Sequence, residues 1–179
     1  VQIFHASTSE VYGNPKEHPQ GESYWGFVNP IGERACYNES KRMAESLCLD
    51  FKRKFNTDVC IARIFNTYGP KMDPNDGRVI SNFIVQALKS NPLTVYGSGK
   101  QTRSFCFVKD LISGIIKLME SNYYYPINLG NPQEIEINQL AKMIKDKINP
   151  ELEILYEYLP LENDAPNRLS LIHISEPTR

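Results

Sequence analysis

Tyr37 and Lys41 stand four residues apart within residues 33–55, a stretch without Gly or Pro. On a helix this spacing puts both side chains on one face, with Cβ atoms about 5–6 Å apart. A free phenol titrates near pH 10 and is a poor base at neutrality. An ammonium beside it favours the phenolate, and a further cation in the site adds to the effect. Tyr-x-x-x-Lys is common on helix surfaces, so the pair takes its weight from what faces it. Residues 7–10 read Ser-Thr-Ser-Glu, three hydroxyls closed by a carboxylate. If the residues before them form a buried strand, these groups sit at its carboxyl end, where open α/β sheets present their ligand crevice. Thr8, Ser9 and Glu10 can then meet Tyr37 and Lys41 across one pocket. The competing reading is that Thr8 and Ser9 only satisfy backbone groups of the turn.

The hydrophobic pattern supplies the elements that place these groups. Residues 1–6 form a short apolar run that predicts a buried strand. Seven Gly and Pro residues between Gly13 and Gly32 predict an irregular loop. Met43, Leu47 and Phe51 recur every four residues and predict a long amphipathic helix over 33–55. Residues 59–64 follow as a β-branched strand. Helices are expected at 79–89, 111–119 and 138–148, and strands at 93–96, 104–108, 127–129 and 152–156. The alternation predicts an α/β fold, its first part the C-terminal portion of a doubly wound, Rossmann-like parallel sheet. Tyr96-Gly97-Ser98-Gly99 runs into Lys100-Gln101-Thr102-Arg103. It reads as a tight turn, since no G-x-G-x-x-G or Gly-Lys-Ser/Thr phosphate cradle occurs in the sequence.

Several function classes are excluded. The 20 Lys and Arg against 21 Asp and Glu give a net charge of −1, without the positive field of a nucleic-acid binder. No apolar run reaches the roughly 20 residues of a membrane span. Cys36, Cys48, Cys60 and Cys106 form no C-x-x-C pair, and His5, His18 and His173 are scattered. No metal site is expected, and the cysteines read as buried free thiols. The 179 residues amount to one ordinary domain.

Taken in order, Thr8-Ser-Glu-Val-Tyr-Gly13, Tyr37-x-x-x-Lys41, Arg63-Ile-Phe-Asn-Thr-Tyr-Gly-Pro70 and Phe107-Val-Lys-Asp-Leu111 resemble the extended short-chain dehydrogenase/reductases that modify nucleotide sugars. Residues 24–32, 76–83 and 94–103 are similar to the members of that family that decarboxylate UDP-glucuronate. The resemblance covers about residues 1–169 and implies a tightly bound NAD, held in part by Thr8, Tyr37 and Lys41. It implies that Tyr37 takes the proton of the sugar C4 hydroxyl, that Thr8 holds that oxygen, and that Lys41 supports Tyr37 and binds the nicotinamide ribose. A 4-keto sugar acid results, which loses carbon dioxide and is reduced again to UDP-xylose. In the related 4,6-dehydratases an Asp stands where this chain has Ser9, and serine is too weak an acid to expel a hydroxyl; losing carbon dioxide needs no such acid. Glu10 is expected to orient the uronate or to press its carboxylate towards departure.

The substrate diphosphate calls for guanidinium and amide donors. By resemblance these are Arg103 and Arg78 with Asn66 and Asn82. Val95 and Tyr96 would line the uracil pocket, Arg168 would approach the nucleotide, and Arg103 is also placed to help protonate C5. Two alternatives stay open: a UDP-glucuronate 4-epimerase, and a non-catalytic scaffold member of the family. Relatives dimerise through the helix of Tyr37, and Leu47, Phe51 and Phe55 give it surplus apolar surface, so the full-length protein is expected to be a homodimer. The resemblance further implies a missing N-terminal part with the glycine fingerprint. An anchor there would place the protein in the Golgi lumen; without one it is cytoplasmic. Residues 1–64 are assigned to the second half of the NAD-binding domain and 65–169 mainly to nucleotide-sugar binding. Residues 170–179 read as a non-native tail, and the 179-residue chain is expected to be inactive alone.

Overall fold

The computed structural model describes residues 1–158. In chain order they form β1 (Gln2–Thr8), a 3-10 turn (Ser9–Tyr12), α1 (Ala35–Phe55), β2 (Asp58–Ile64), β3 (Thr67–Tyr68), α2 (Val79–Leu88), β4 (Leu93–Tyr96), β5 (Thr102–Ser104), β6 (Cys106–Phe107), α3 (Val108–Glu120), β7 (Ile127–Leu129), β8 (Glu134–Glu136), α4 (Ile137–Ile148) and β9 (Ile154–Glu157). The chain divides into two compact units. They interleave: residues 1–67 and 104–133 make the first, 68–103 and 134–158 the described part of the second. A single division after residue 64 misses this, because β7 returns to pair with β2.

In the first unit β1, β2 and β7 form a parallel sheet in that order. The central strand is apolar on both faces, as expected for a strand covered on both sides. Cys60 and Ala62 join Leu111 and Leu118 of α3 and Leu129 of β7 in one core, with Phe4 and Ile64 packed against it. Val59 and Ile61 alternate to the opposite face and are equally buried; α1 packs on β1 and β2. That helix ends at Asn56, in the left-handed conformation that closes many helices, after Lys52, Arg53 and Lys54, whose charges suit the negative end of the helix dipole. In the second unit β4 and β9 pair in parallel, α2 packs on α4, and α4 on β4. Leu93, Val95, Phe83 and Ala141 are fully buried there.

The expected strand over 104–108 is divided between β5 and β6. The chain passes from the second unit to the first between Arg103 and Ser104, and β5 pairs with β8 while β6 pairs with β3. The three-residue β8 carries too little pattern to read from sequence. The glycine cluster is a turn: Asn138 donates from its backbone to Gly99 and from its side chain to Ser98, 3.0 and 3.1 Å away. All four cysteines are free thiols; Cys60 and Cys106 are buried, but Cys36 is exposed on the first turn of α1, against expectation.

Candidate active site

Strand β1 delivers Ser7 and Thr8, both buried, to its carboxyl end. The chain then turns sharply through Ser9–Tyr12. Thr8 caps this turn, its hydroxyl oxygen accepting from the Glu10 backbone N–H at 3.2 Å. The turn-forming role weighed against a catalytic one is therefore real, and it leaves the Thr8 hydroxyl proton available to a ligand. The Glu10 carboxylate pairs with Arg34 at 3.7 Å.

Helix α1 meets this strand end through Lys41, whose Nζ donates to the Ala6 carbonyl at 2.7 Å. An ammonium carries three donors, so two remain for other partners. Tyr37 lies one turn nearer the helix start, 44% exposed, and its backbone carbonyl accepts from Ser40. The first unit thus joins Lys41 directly to the strand that ends in Thr8, with Tyr37 on the same helix face. Asn66 also belongs to this unit; its amide reaches the Ser104 carbonyl at 3.4 Å.

The remaining candidates lie in the second unit. Arg78 forks onto Asp76, with Nε–Oδ2 and Nη2–Oδ1 distances of 2.5 and 2.8 Å. This pairing raises the Arg78 pKa and lowers that of Asp76. Asn82 donates to the Gly77 carbonyl at 3.0 Å, so both residues help build the turn that opens α2. On β4 Val95 is wholly buried while Tyr96 points outward, half-exposed. Arg103 donates to the Thr102 carbonyl at 2.9 Å. Arg168 and residues 170–179 lie outside the described residues. Among the described residues no three His, Cys, Asp or Glu side chains come together as a metal site, and no helix is long and apolar enough to cross a membrane.

Sequence reasoning missed a polar row behind the site. Ser7, Arg63 and Asn128 are register partners across β1, β2 and β7. Glu45 of α1 accepts from Ser7 Oγ at 2.5 Å and from Arg63 Nε and Nη2 at 3.0 and 2.8 Å. Arg63 Nη1 continues to the Tyr12 hydroxyl at 2.8 Å and the Glu22 carbonyl at 3.1 Å. Tyr12 donates to Asn128 at 2.7 Å, and Asn128 donates to the Gln20 carbonyl at 2.9 Å. Burial is the largest single influence and disfavours the Arg63 charge, but the hydrogen bonds and charge interactions with Glu45 and Tyr12 together outweigh it and the pKa rises. Burial also raises the Tyr12 pKa, so this tyrosine stays a neutral donor. A charged residue in the apolar strand 59–64, and a carboxylate four residues after Lys41, were the available signals.

His5 precedes this row on β1. Its Nε2 is buried without a hydrogen-bond partner, and burial, then the nearby Lys41 charge, lower its pKa against the opposing pull of Glu45. The unfolded chain, with an ordinary histidine near 6.5, therefore takes up a proton first as pH falls. Stability from this residue is intact above about pH 6.5 and declines below it. His5→Leu is expected to flatten the loss of melting temperature between about pH 7 and pH 5. Parallel melting curves for the two proteins across that range would remove His5 from this role.

A family model described as the NAD dependent epimerase/dehydratase family matches residues 1–130. UDP-glucuronic acid decarboxylase 4 of Arabidopsis thaliana is 57% identical over 162 residues, which cover 90% of this chain and 36% of that protein. UDP-glucuronic acid decarboxylase 1 of Xenopus tropicalis is 56% identical over 168 residues, 94% of this chain and 39% of that one. The chain thus spans less than half the length of the curated relatives it matches. Among solved structures, a UDP-N-acetylglucosamine 4-epimerase from Methanobrevibacter ruminantium M1, in complex with UDP-N-acetylmuramic acid, superposes with a TM-score of 0.86 at 29% identity, over 97% of this chain and 54% of that one. A UDP-glucuronic acid 4-epimerase from Bacillus cereus, in complex with NAD, gives 0.74 at 28% identity, over 88% and 50%.

Proposed function

Because the chain belongs to the NAD dependent epimerase/dehydratase family, we propose that it is the catalytic part of an enzyme that converts UDP-glucuronate to UDP-xylose and carbon dioxide. The observation that carries this reading is the likeness to decarboxylases over nine-tenths of the chain. The anchoring of Lys41 beside the Thr8 strand end supports it.

Thr8, Tyr37 and Lys41 fit the nicotinamide riboside end of NAD: the two free donors of Lys41 suit ribose hydroxyls, and Tyr37 is open to a ligand. No glycine-rich cradle for its pyrophosphate occurs in these residues. When bound, NAD+ supplies the hydride acceptor for C4 and returns that hydride at the end. Tyr37 accepts the proton of the C4 hydroxyl while Thr8 holds the oxygen. The resulting ketone is β to the carboxylate on C5, so the C5–C6 bond breaks with its electron pair passing into an enolate as carbon dioxide leaves. C5 then takes a proton from solvent water, and Tyr37 gives its own proton back to the C4 oxygen as C4 is reduced. Ser9 lacks the acidity to expel a hydroxyl, which favours loss of carbon dioxide over dehydration. Asn66, Asn82, Arg78, Arg103, Val95, Tyr96 and Arg168 are assigned to the nucleotide sugar, with Arg78 exchanging Asp76 for phosphate.

The fold likeness to a UDP-glucuronic acid 4-epimerase favours a second reading, in which the ketone is reduced from its other face and the carboxylate stays. Product identification by NMR, using an enzyme of the relatives' length that carries this sequence, separates the two. UDP-xylose supports the decarboxylase and UDP-galacturonate the epimerase. No turnover with UDP still bound supports a scaffold.

A homodimer through the outer face of α1 is part of the proposal. Leu47, Phe51 and Phe55 are 46%, 48% and 68% exposed there, and large exposed apolar patches commonly mark interfaces. Light scattering of the full-length enzyme should give twice the chain mass; a single-chain mass contradicts it.

A further inference from the structure

We propose that Ser7, Glu45 and Arg63 form a registration clamp: positioning residues that fix α1 against the sheet so that Tyr37 and Lys41 stand over the end of β1. The inference rests on the function proposed above for those residues. Only two residues of the 21 in α1 are buried, Asn38 and Glu45, and both are polar. Apolar contact is non-directional, and here no fully buried apolar side chain of α1 is present to lock the helix in one axial position.

Glu45 does what packing does not. It follows Lys41 by four residues and Tyr37 by eight, so the three share a face along about 12 Å of helix. Lys41 grips the carbonyl of Ala6 and Glu45 the hydroxyl of Ser7, consecutive residues immediately before Thr8. The bidentate fork from Arg63 then ties Glu45 to the next strand, where Arg63 is the register partner of Ser7. Moving α1 by one residue shifts the carboxylate about 1.5 Å along the axis and about 100° around it. The bonds from Ser7 and Arg63 to Glu45 break together, because hydrogen bonds weaken steeply with angle. The side chains of Arg63 and Glu45 are 12% and 8% exposed, so little water is at hand to replace them. Buried ion pairs contribute less to net stability than apolar residues of similar volume; the forked geometry contributes a defined position. Beyond Arg63, the row runs through Tyr12 and Asn128 to the loop before α1, so strand ends, loop and helix share one reference.

The test uses the full-length enzyme carrying this sequence, with UDP-glucuronate as substrate and melting temperature measured beside kinetics. Arg63→Lys keeps the charge and loses the fork; the joint variant Glu45→Met with Arg63→Met removes the buried charges. In both, kcat should fall about 100-fold, the cost of an ångström-scale misplacement, while KM stays within about threefold. Ser7→Ala leaves the ion pair in place and should cost about three- to tenfold in kcat, keeping the idea testable if the others fail to fold. A merely structural role would make kcat follow melting temperature. A variant that melts like the parent yet keeps a kcat within about twofold overturns the clamp. An inactive parent enzyme would instead refute the proposed function. The clamp would then be judged by hydrogen exchange, with α1 amides of Arg63→Lys expected to exchange at least about tenfold faster than the parent's and equal rates overturning it.

Discussion

Tyr37→Phe in the full-length enzyme is expected to lower UDP-glucuronate turnover by about a hundred- to ten-thousand-fold, the usual contribution of a positioned acid–base group. The change removes one oxygen from a half-exposed side chain, so it opens no cavity, and Phe and Tyr have similar helix propensities. UDP binding and melting temperature should stay close to those of the parent. Loss of kcat alone assigns the proton transfer to the phenol, whereas a near-normal rate would remove Tyr37 from the mechanism.

Gly13→Ala is expected to have the largest effect on stability, because Gly13 closes the turn that presents Ser9 and Glu10. Its φ and ψ are 64° and −128°, a combination available essentially to glycine alone. A Cβ there would lie 2.6 Å from the Phe27 carbonyl carbon and 2.8 Å from the Val28 Cα. Those are backbone atoms, held by the Asn14–Phe27 and Phe27–Tyr12 hydrogen bonds, and cannot swing aside like a flexible side chain. Backbone strain alone costs about 1–3 kcal/mol, and relief of the clash must pull the loop from the strand end. Denaturant titration should show a loss of about 3 kcal/mol or more. An unchanged midpoint would mean that the turn is not held as described.

The elements were legible where a strong period or a breaker marked them. The Gly- and Pro-free stretch carrying Met43, Leu47 and Phe51 is α1, and the β-branched run at 59–64 is β2. The meeting of the Lys41 helix with the strand that ends in Thr8 was legible too, since helical spacing and the strand-end rule bear on it independently. The interleaving of the units was not, because it depends on β7 and β8, each three residues long, returning across long sequence separations. Nor was the Ser7–Arg63–Asn128 row. Cross-strand neighbours are set by register, which places Ser7 56 residues from Arg63 in sequence yet directly beside it in the sheet. Helical spacing puts Glu45 on the face of Tyr37 and Lys41, but it does not reveal that Ser7 and Arg63 stand opposite it. Its burial is decided by what stands opposite.

The most direct measurement follows the fate of two atoms in UDP-glucuronate labelled with carbon-13 at C6 and deuterium at C4, incubated with the full-length enzyme. The expected result is labelled carbon dioxide in equal amount to UDP-xylose that keeps its deuterium at C4, because the hydride leaves and returns within one turnover. Carbon-13 still attached to the sugar after C4 has inverted would contradict the account and make the protein an epimerase.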